Sequence, residues 1–449
     1  MLQIDAYRHQ YGVGQGCFHL QTLEFSGDAG ADLTYRFVYD CGGAKFQSKK
    51  TLDWCIAHAT AGTPPLEVNA VYLSHFEDDH VNGVQELCKK AKVHRIFAPH
   101  IDLHSAVHII AQQLAAGATW TTSYQQFASA LFDLAGGDDV FGVPVTRVRG
   151  GGPPPEGPAL PNDLPRDLEN VDQSIDAVAP NRPVVSHSER VTIVASKRMS
   201  RRAFHHEVVW EMVHWYYGGD DLLTAQILTE IAKINGYSID CLPGIEANAT
   251  SVQVDTALQW MKKNRAQIAA AYLVAMAVHN AVRAVMVPPK PAFPNNHNVA
   301  SLCLYSGPIA SKTYLQNANA CGCHRLYKKG GMYWVGAKEG AWIATGDAML
   351  GIADIWNEFI AHFGTIRVDA CSTVLIPHHG ADAATSHNFT AQLIRANQFC
   401  VISAGANNSY KHPHRNVVQA ILKKPASLQL VTESDPMGFV EYLAFHAKI

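Results

Sequence analysis

Apolar and polar residues alternate through Phe18 to Phe25 and again through Leu33 to Tyr39, a period of two that predicts strands. In Lys50 to Ala61 the apolar positions recur at three- and four-residue spacing, which predicts a helix. The near-continuous apolar run Val68-Asn69-Ala70-Val71-Tyr72-Leu73-Ser74 reads as a buried strand, and Val81 to Lys90 returns to helical spacing. Val93 to Phe97 reads as another strand, Leu103 to Leu134 as helical, and Val140 to Val148 as extended. Strands and helices therefore alternate over residues 1–149.

The pattern then changes. Gly150-Gly151-Gly152-Pro153-Pro154-Pro155 opens a stretch rich in Pro, Gly, Asn and Asp that runs to Pro183 and predicts a loop or linker. Arg201 to Val287 reads as mostly helical, with Trp210, Val213, Trp215, Tyr216 and Tyr217 taken as core packing. Val287-Pro288-Pro289-Lys290-Pro291, continuing to Pro294, closes the region. Residues 150–294 thus look like an inserted loop and largely helical segment between two α/β parts, 1–149 and 295–449. In the last part, strands are expected at Val299 to Tyr305, Met332 to Val335, Ala341 to Thr345, Ser372 to Ile376 and Phe399 to Ser403, and near Leu428 and Val440. Helices are expected at Leu350 to His362, at Ala384 to Ala396 and after Pro413. No repeat of fixed period is visible.

Composition narrows the classes. A chain of 449 residues, 47% hydrophobic and 17% charged, can bury a large core. A formal charge of −3 gives no global positive field, so any contact with nucleic acid must be local. Met1 to Arg8 lacks the basic-then-apolar layout of a signal peptide, and the expected location is cytoplasmic. The longest apolar run, Ile268 to Val278, is shorter than the roughly 18 residues of a spanning helix and reads as a buried helix, so no membrane association is expected. Ten scattered cysteines fit a reducing compartment, and Cys321-Gly322-Cys323-His324 reads as thiols on a turn.

The strongest chemical signal is His75-Phe76-Glu77-Asp78-Asp79-His80, which crowds two imidazoles and three carboxylates onto one turn at a strand-to-helix corner. Carboxylates this close repel unless a cation lies between them, so the spacing predicts divalent metal. Further ligands are expected at the ends of other strands. Ala344-Thr345-Gly346-Asp347 places a carboxylate at a strand tip, with Gly346 allowing close backbone approach. Ile376-Pro377-His378-His379-Gly380 does the same for imidazoles.

With these residues in view the chain resembles the metallo-β-lactamase fold family, and within it the soluble ComEC-like hydrolase domain of DNA uptake. The matching segments are Gly14-Gln15-Gly16, Tyr39-Asp40-Cys41-Gly42, Ser74 to Gly83, Asn298 to Leu304, Thr345-Gly346-Asp347, Pro377-His378-His379-Gly380 and Asn408-Ser409-Tyr410-Lys411-His412-Pro413. They cover about residues 1–149 and 295–449. Departures are Cys17 for an acidic residue, Glu77 for Asp or His, Ala381 for Ser and Lys411 for Gly. The resemblance implies an αββα sandwich with a largely helical insertion. It also implies two divalent ions, Zn²⁺ or Mn²⁺, with His75 and Glu77 holding one, Asp79, His80 and His378 the other, and Asp347 bridging.

The same resemblance implies a metal-dependent hydrolase of phosphodiester bonds, with DNA as the expected substrate. Asp79, His379 and His412 are the candidate catalytic residues, with His379 either orienting His378 or protonating a leaving group. Lys411, His412 and Arg415 are the candidate substrate-binding residues, supplying positive charge around a phosphoryl group. Lys197-Arg198, Arg201-Arg202 and Lys262-Lys263 with Arg265 would mark either a solvated surface or a groove tracking a nucleic-acid backbone. The other readings are hydrolysis of a small phosphodiester, ester or amide, and a non-catalytic, metal-braced scaffold. A regulatory protein partner stays open, with no sequence feature calling for one.

Overall fold

The computed structural model describes residues 2–27, 32–43, 49–101, 103–115, 117–120, 125, 128–129, 131–132, 139–150, 173–181, 183–186, 188–200, 203–217, 221–234, 251–286, 301–309, 323–328, 331–336, 340–385, 389, 392–395, 398–424 and 426–447. The fold is mixed α/β, built on two large sheets. The first, of 11 strands, runs from Val184–Ser186 through Val143–Arg149, Ile96–Pro99, Ala70–Tyr72, Asp32–Cys41, Phe18–Gly27 and Leu2–Gln10 to Phe439–Ala447 and the hairpin Cys323–Lys328/Gly331–Gly336, with Asp139–Val140 paired to Val143–Arg149 off this path. The second, of 8 strands, orders Gln173–Val178, Arg190–Ser200, Ala203–Tyr216, Leu302–Pro308, Ala341–Ala344, Cys371–Leu375, Phe399–Ser403 and Ser427–Val431. The last four of these strands pair in parallel.

Hydrophobic burial sets the layers. Leu2, Ile4, Ala6, Leu23, Phe37, Tyr39 and Leu443 of the first sheet share one core with Trp210, Leu304, Trp342, Leu375 and Val401 of the second, so the sheets pack face to face. Helices cover the outer faces. Lys49–Ala59, Val84–Lys90, Leu103–Ala115 and Arg265–Val285 build a core on the far side of the first sheet. Ala353–Ala370 and Arg415–Leu422 do so on the far side of the second.

The period of two along Leu2–Gln10 also sends Arg8 into the inter-sheet core, where it is 1% exposed. Its guanidinium pairs with Glu441 at 2.9 Å, donates to Gln21 Oε1 at 3.3 Å and donates to the Gly340 carbonyl. Thr373 of the opposite sheet donates its hydroxyl to the same Glu441 oxygen at 2.9 Å. A charged pair thus joins the two sheets where apolar packing is the rule.

Several expectations need correction. Ala203–Tyr216, expected to be helical, is a strand paired with Leu302–Pro308, so Arg190–Ser200 and Ala203–Tyr216 belong to the second sheet, and among the described residues of this region the first helix is Asp221–Ala232. Val209, Trp210, Met212, Val213 and Trp215 are all buried. A strand covered on both faces loses its alternation and mimics a helical core segment. The strand Leu2–Gln10 was not anticipated.

The apolar run at Ile268 extends into a helix of 21 residues, Arg265–Val285, long and apolar enough by length and composition to cross a membrane. Only 33% of its most apolar window is buried. Ile268, Ala271, Tyr272, Ala275 and Met276 face the core, while Leu273, Val274, Val278 and Val282 are exposed, so it is not the fully buried helix expected. Of the loop or linker expected from Gly150 to Pro183, Gln173–Val178 is instead a strand paired with Arg190–Ser200. Residues 151–172, the Pro-rich 287–294, Asn298, Cys321, Gly322, Arg201 and Arg202 lie outside the described residues, as do 386–388, 390, 391 and 396 of the helix expected at 384–396.

Candidate metal centre

The site forms where strand ends of both sheets meet. Ala70–Tyr72 leads into Ser74, His75 and the short helix Asp78–Val81, and Ala341–Ala344 leads to Asp347. Cys371–Leu375 leads to His378 and His379, and Phe399–Ser403 to the turn carrying His412. Close backbone contacts hold these ends together. His378 N–H donates to the Gly346 carbonyl at 3.0 Å. A Cβ on Gly346 (φ +51°) would come within 2.6 Å of Ser74 Cβ, so only glycine allows that crossing. Likewise a Cβ on Gly42 would meet the Asp79 backbone at 2.4 Å, which accounts for the glycine after Asp40-Cys41.

Asp347 is the hub. It is 2% exposed, and its Oδ1 lies 3.5 Å from His80 Nε2. Its Oδ2 lies 3.6 Å from His378 Nε2, 3.7 Å from His379 Nε2 and 4.0 Å from His75 Nε2. Two tight groups result, His75/His80/Asp347 and Asp79/His80/His379, in each of which one ligand atom per residue lies within 4.8 Å of the others. Glu77 Oε2 is 3.5 Å from His75 Nε2 and Asp79 Oδ2 is 3.6 Å from His379 Nε2. These spacings are too long for good hydrogen bonds, yet close to the edge of about 3.4 Å expected between two atoms that ligate one cation at 2.0–2.1 Å.

The donor set fits a divalent cation on a second count. The Nε2 atoms of His75, His80 and His379 are buried without a hydrogen-bond partner among the described residues. Their other ring nitrogens are anchored. His80 Nδ1 donates to Asp40 at 2.8 Å, His75 Nδ1 lies 2.9 Å from Ser74 Oγ, and His379 Nδ1 donates to the Ser403 carbonyl at 2.8 Å. Anchoring one nitrogen presents the other as a lone pair. Buried His and Asp groups here could therefore hold a metal ion.

Of the expected ligands, His75, His80 and His378 lie within 4.0 Å of Asp347, Glu77 lies beside His75, and Asp79 lies beside His379. His379, expected to support His378 or to donate a proton, is the imidazole beside Asp79, while His378 Nε2 lies 3.6 Å from Asp347 Oδ2. Both histidines have left-handed backbone, φ 49° and 53°, and this double turn aims both rings inward.

Asp40 is the residue that sequence reasoning did not assign. Fully buried, it accepts from Ser74 N at 2.7 Å, Ser74 Oγ at 2.6 Å and His80 Nδ1. Ser301 is a second such residue, its hydroxyl 3.4 Å from His75 Nδ1 and accepting from Asp347 N at 3.2 Å. Both lie in segments that carried the family resemblance, which was the available signal.

Electrostatics divide the histidines. Burial would lower the pKa of His80, but Asp347, Asp40 and Asp79 raise it to about 10. His379 is raised in the same way by Asp347 and Asp79 against burial. Burial works against the ionised Asp347 too, yet His379, His378, His80 and His75 hold its carboxyl well below the usual range. His412 behaves oppositely: burial, then His378, His379 and His414, push it down to about 4. It is neutral at pH 7, so the positive charge expected from this turn falls to the exposed Lys411 and Arg415.

A proton count follows. A cation needs bare Nε2 atoms, so its binding at pH 7.5 must displace the His80 proton, and affinity must rise with pH up to about 10. Calorimetric titration with Zn²⁺ or Mn²⁺ in buffers of different ionisation enthalpy should report net proton release on binding, because both His80 and His379 are raised in the metal-free protein. A buffer-independent enthalpy would contradict this charge state.

No family model matches the chain. A stretch of 110 residues is 31% identical to ComE operon protein 3 of Bacillus subtilis (strain 168). The stretch is 24% of this chain and 13% of that protein, so the chain matches only a small part of its relative's length.

Proposed function

We propose that this chain is a metal-dependent phosphodiesterase of the metallo-β-lactamase fold that acts on DNA with two divalent ions, Zn²⁺ or Mn²⁺. The observation that carries the reading is Asp347, buried among His75, His80, His378 and His379 with three partnerless Nε2 atoms around it. The face-to-face sheets with outer helices and the limited similarity to ComE operon protein 3 support it.

His75, Glu77 and Asp347 would hold one ion, and Asp79, His80, His379 and Asp347 the other. Bound there, such ions supply Lewis acidity toward a phosphoryl oxygen and an activated water at neutral pH. Asp40, Ser74 and Ser403 keep the imidazoles oriented without reorganisation. His412 is half-buried with its ring 5.4 Å from His378, and neutral it can donate a ring N–H hydrogen bond to a phosphoryl oxygen or accept a proton from an attacking water. Lys411 and Arg415 offer exposed positive charge to flanking phosphates. A cytoplasmic location accompanies this proposal.

The test is direct. Purified protein loaded with Mn²⁺ or Zn²⁺ should cleave plasmid or single-stranded DNA, lose the activity with chelator and regain it when metal is restored. Metal-loaded protein that cleaves no phosphodiester, while hydrolysing a lactam or thioester, would move the activity to another substrate class.

A further inference from the structure

Three rings step outward from the metal centre. His379 is buried, the His412 ring lies 6.4 Å from it at an interplanar angle of 23°, and the Tyr410 ring lies 5.7 Å beyond His412 at 26°. The first ring touches the proposed ligand cluster and the last is 66% exposed.

The turn that carries this staircase is tightly built. Asn408 donates its side-chain amide to the carbonyls of Gly405 and His412 at 2.7 and 2.6 Å, and its Oδ1 accepts from His412 N–H at 2.9 Å. Lys411 N–H donates to the Asn408 carbonyl at 3.3 Å, and Lys411 has left-handed backbone, φ 61°. His414 N–H ties the turn to the Gly380 carbonyl at 3.0 Å, directly after His379. An ordered turn therefore holds a large flat side chain in water at the mouth of the site, with an exposed lysine beside it.

An exposed aromatic face next to positive charge, two ring steps from His379 of the proposed phosphodiesterase centre, matches the chemistry of an unpaired nucleobase whose neighbouring phosphate lies at the metal. In a closed duplex the base faces are already stacked on one another and cannot reach such a ring. We propose that Tyr410 is a stacking platform for the nucleobase next to the scissile phosphate, and that the substrate is single-stranded or frayed nucleic acid. This rests on the phosphodiesterase reading above and adds the substrate's form to it.

The test uses the full chain loaded with Mn²⁺ and two oligonucleotides of equal length, one bearing bases and one built of stable abasic units with the same phosphates. Tyr410→Ala should lower kcat/KM on the base-bearing strand on the order of 10- to 100-fold, the range that loss of one base stack produces, with a much smaller change on the abasic strand. Tyr410→Phe should stay close to wild type on both, because the ring does the work. Equal losses on the two strands, no loss on either, or a Phe variant as impaired as the Ala variant would overturn the stacking role. Wild type that cleaves neither strand would overturn the phosphodiesterase reading itself, and the platform with it. Circular dichroism and metal content of the two variants separate these results from misfolding.

Discussion

Asp347→Asn should leave a folded protein that no longer hydrolyses phosphodiesters, with kcat/KM down on the order of 1000-fold or more and bound metal sharply reduced. The substitution keeps the shape and removes the charge. Among the described residues Asp347 is the carboxylate whose two oxygens face His75, His80, His378 and His379 together, so it completes the group with His75 and His80 and lies 3.7 Å from His379 of the other. Without its charge, His80 and His379 also lose the largest influence that raises their pKa. Metal analysis, an assay in Mn²⁺ and a melting curve on the same preparation check the three parts of this outcome. Asp79→Ala should fall in the same direction through the group it forms with His80 and His379. A variant with wild-type metal content and wild-type cleavage would sink the hub role.

The second large effect is on stability, away from the metal. Glu441→Ala should cost about 3–5 kcal/mol, because it leaves the Arg8 guanidinium charged and buried without its partner. Both side chains of the pair are 0% exposed. The remaining acceptors of Arg8, Gln21 Oε1 and the Gly340 carbonyl, are neutral and cannot replace a carboxylate. Thr373 would lose its acceptor as well, and with it a link between the sheets. Urea unfolding should show a lower midpoint at unchanged slope. A loss below about 1 kcal/mol would mean that water reaches the pair after the substitution.

Particular elements mark how far sequence reasoning reached. Phe399–Ser403 appears as expected, residue for residue, and the helix after Pro413 and the strands around Leu428 and Val440 also form. Phe399–Ser403 is buried along its whole length, but at 5 residues it is too short to be taken for a helix. Ala203–Tyr216 was misread because at 14 residues a strand that lacks alternation is long enough to pass for a buried helix. The motif strand was foreseen, but it splits into Glu67–Val68 and Ala70–Tyr72 because Asn69 turns away to bond Arg36 N–H at 2.8 Å.

What the sequence determined by itself was the inventory: the crowded carboxylates and imidazoles of residues 75–80, and the Gly-Asp and His-His-Gly turns at strand ends. Each of these is a local pattern, and the repulsion among its like charges is a property of neighbours in the chain. Tertiary structure decided the assignments. It set His379 rather than His378 against Asp79, made Asp40 the anchor of His80, and turned His412 neutral by burying it among other imidazoles. Those outcomes depend on distance, burial and ring orientation between segments tens to hundreds of residues apart, and such quantities exist only once the two sheets have closed on each other.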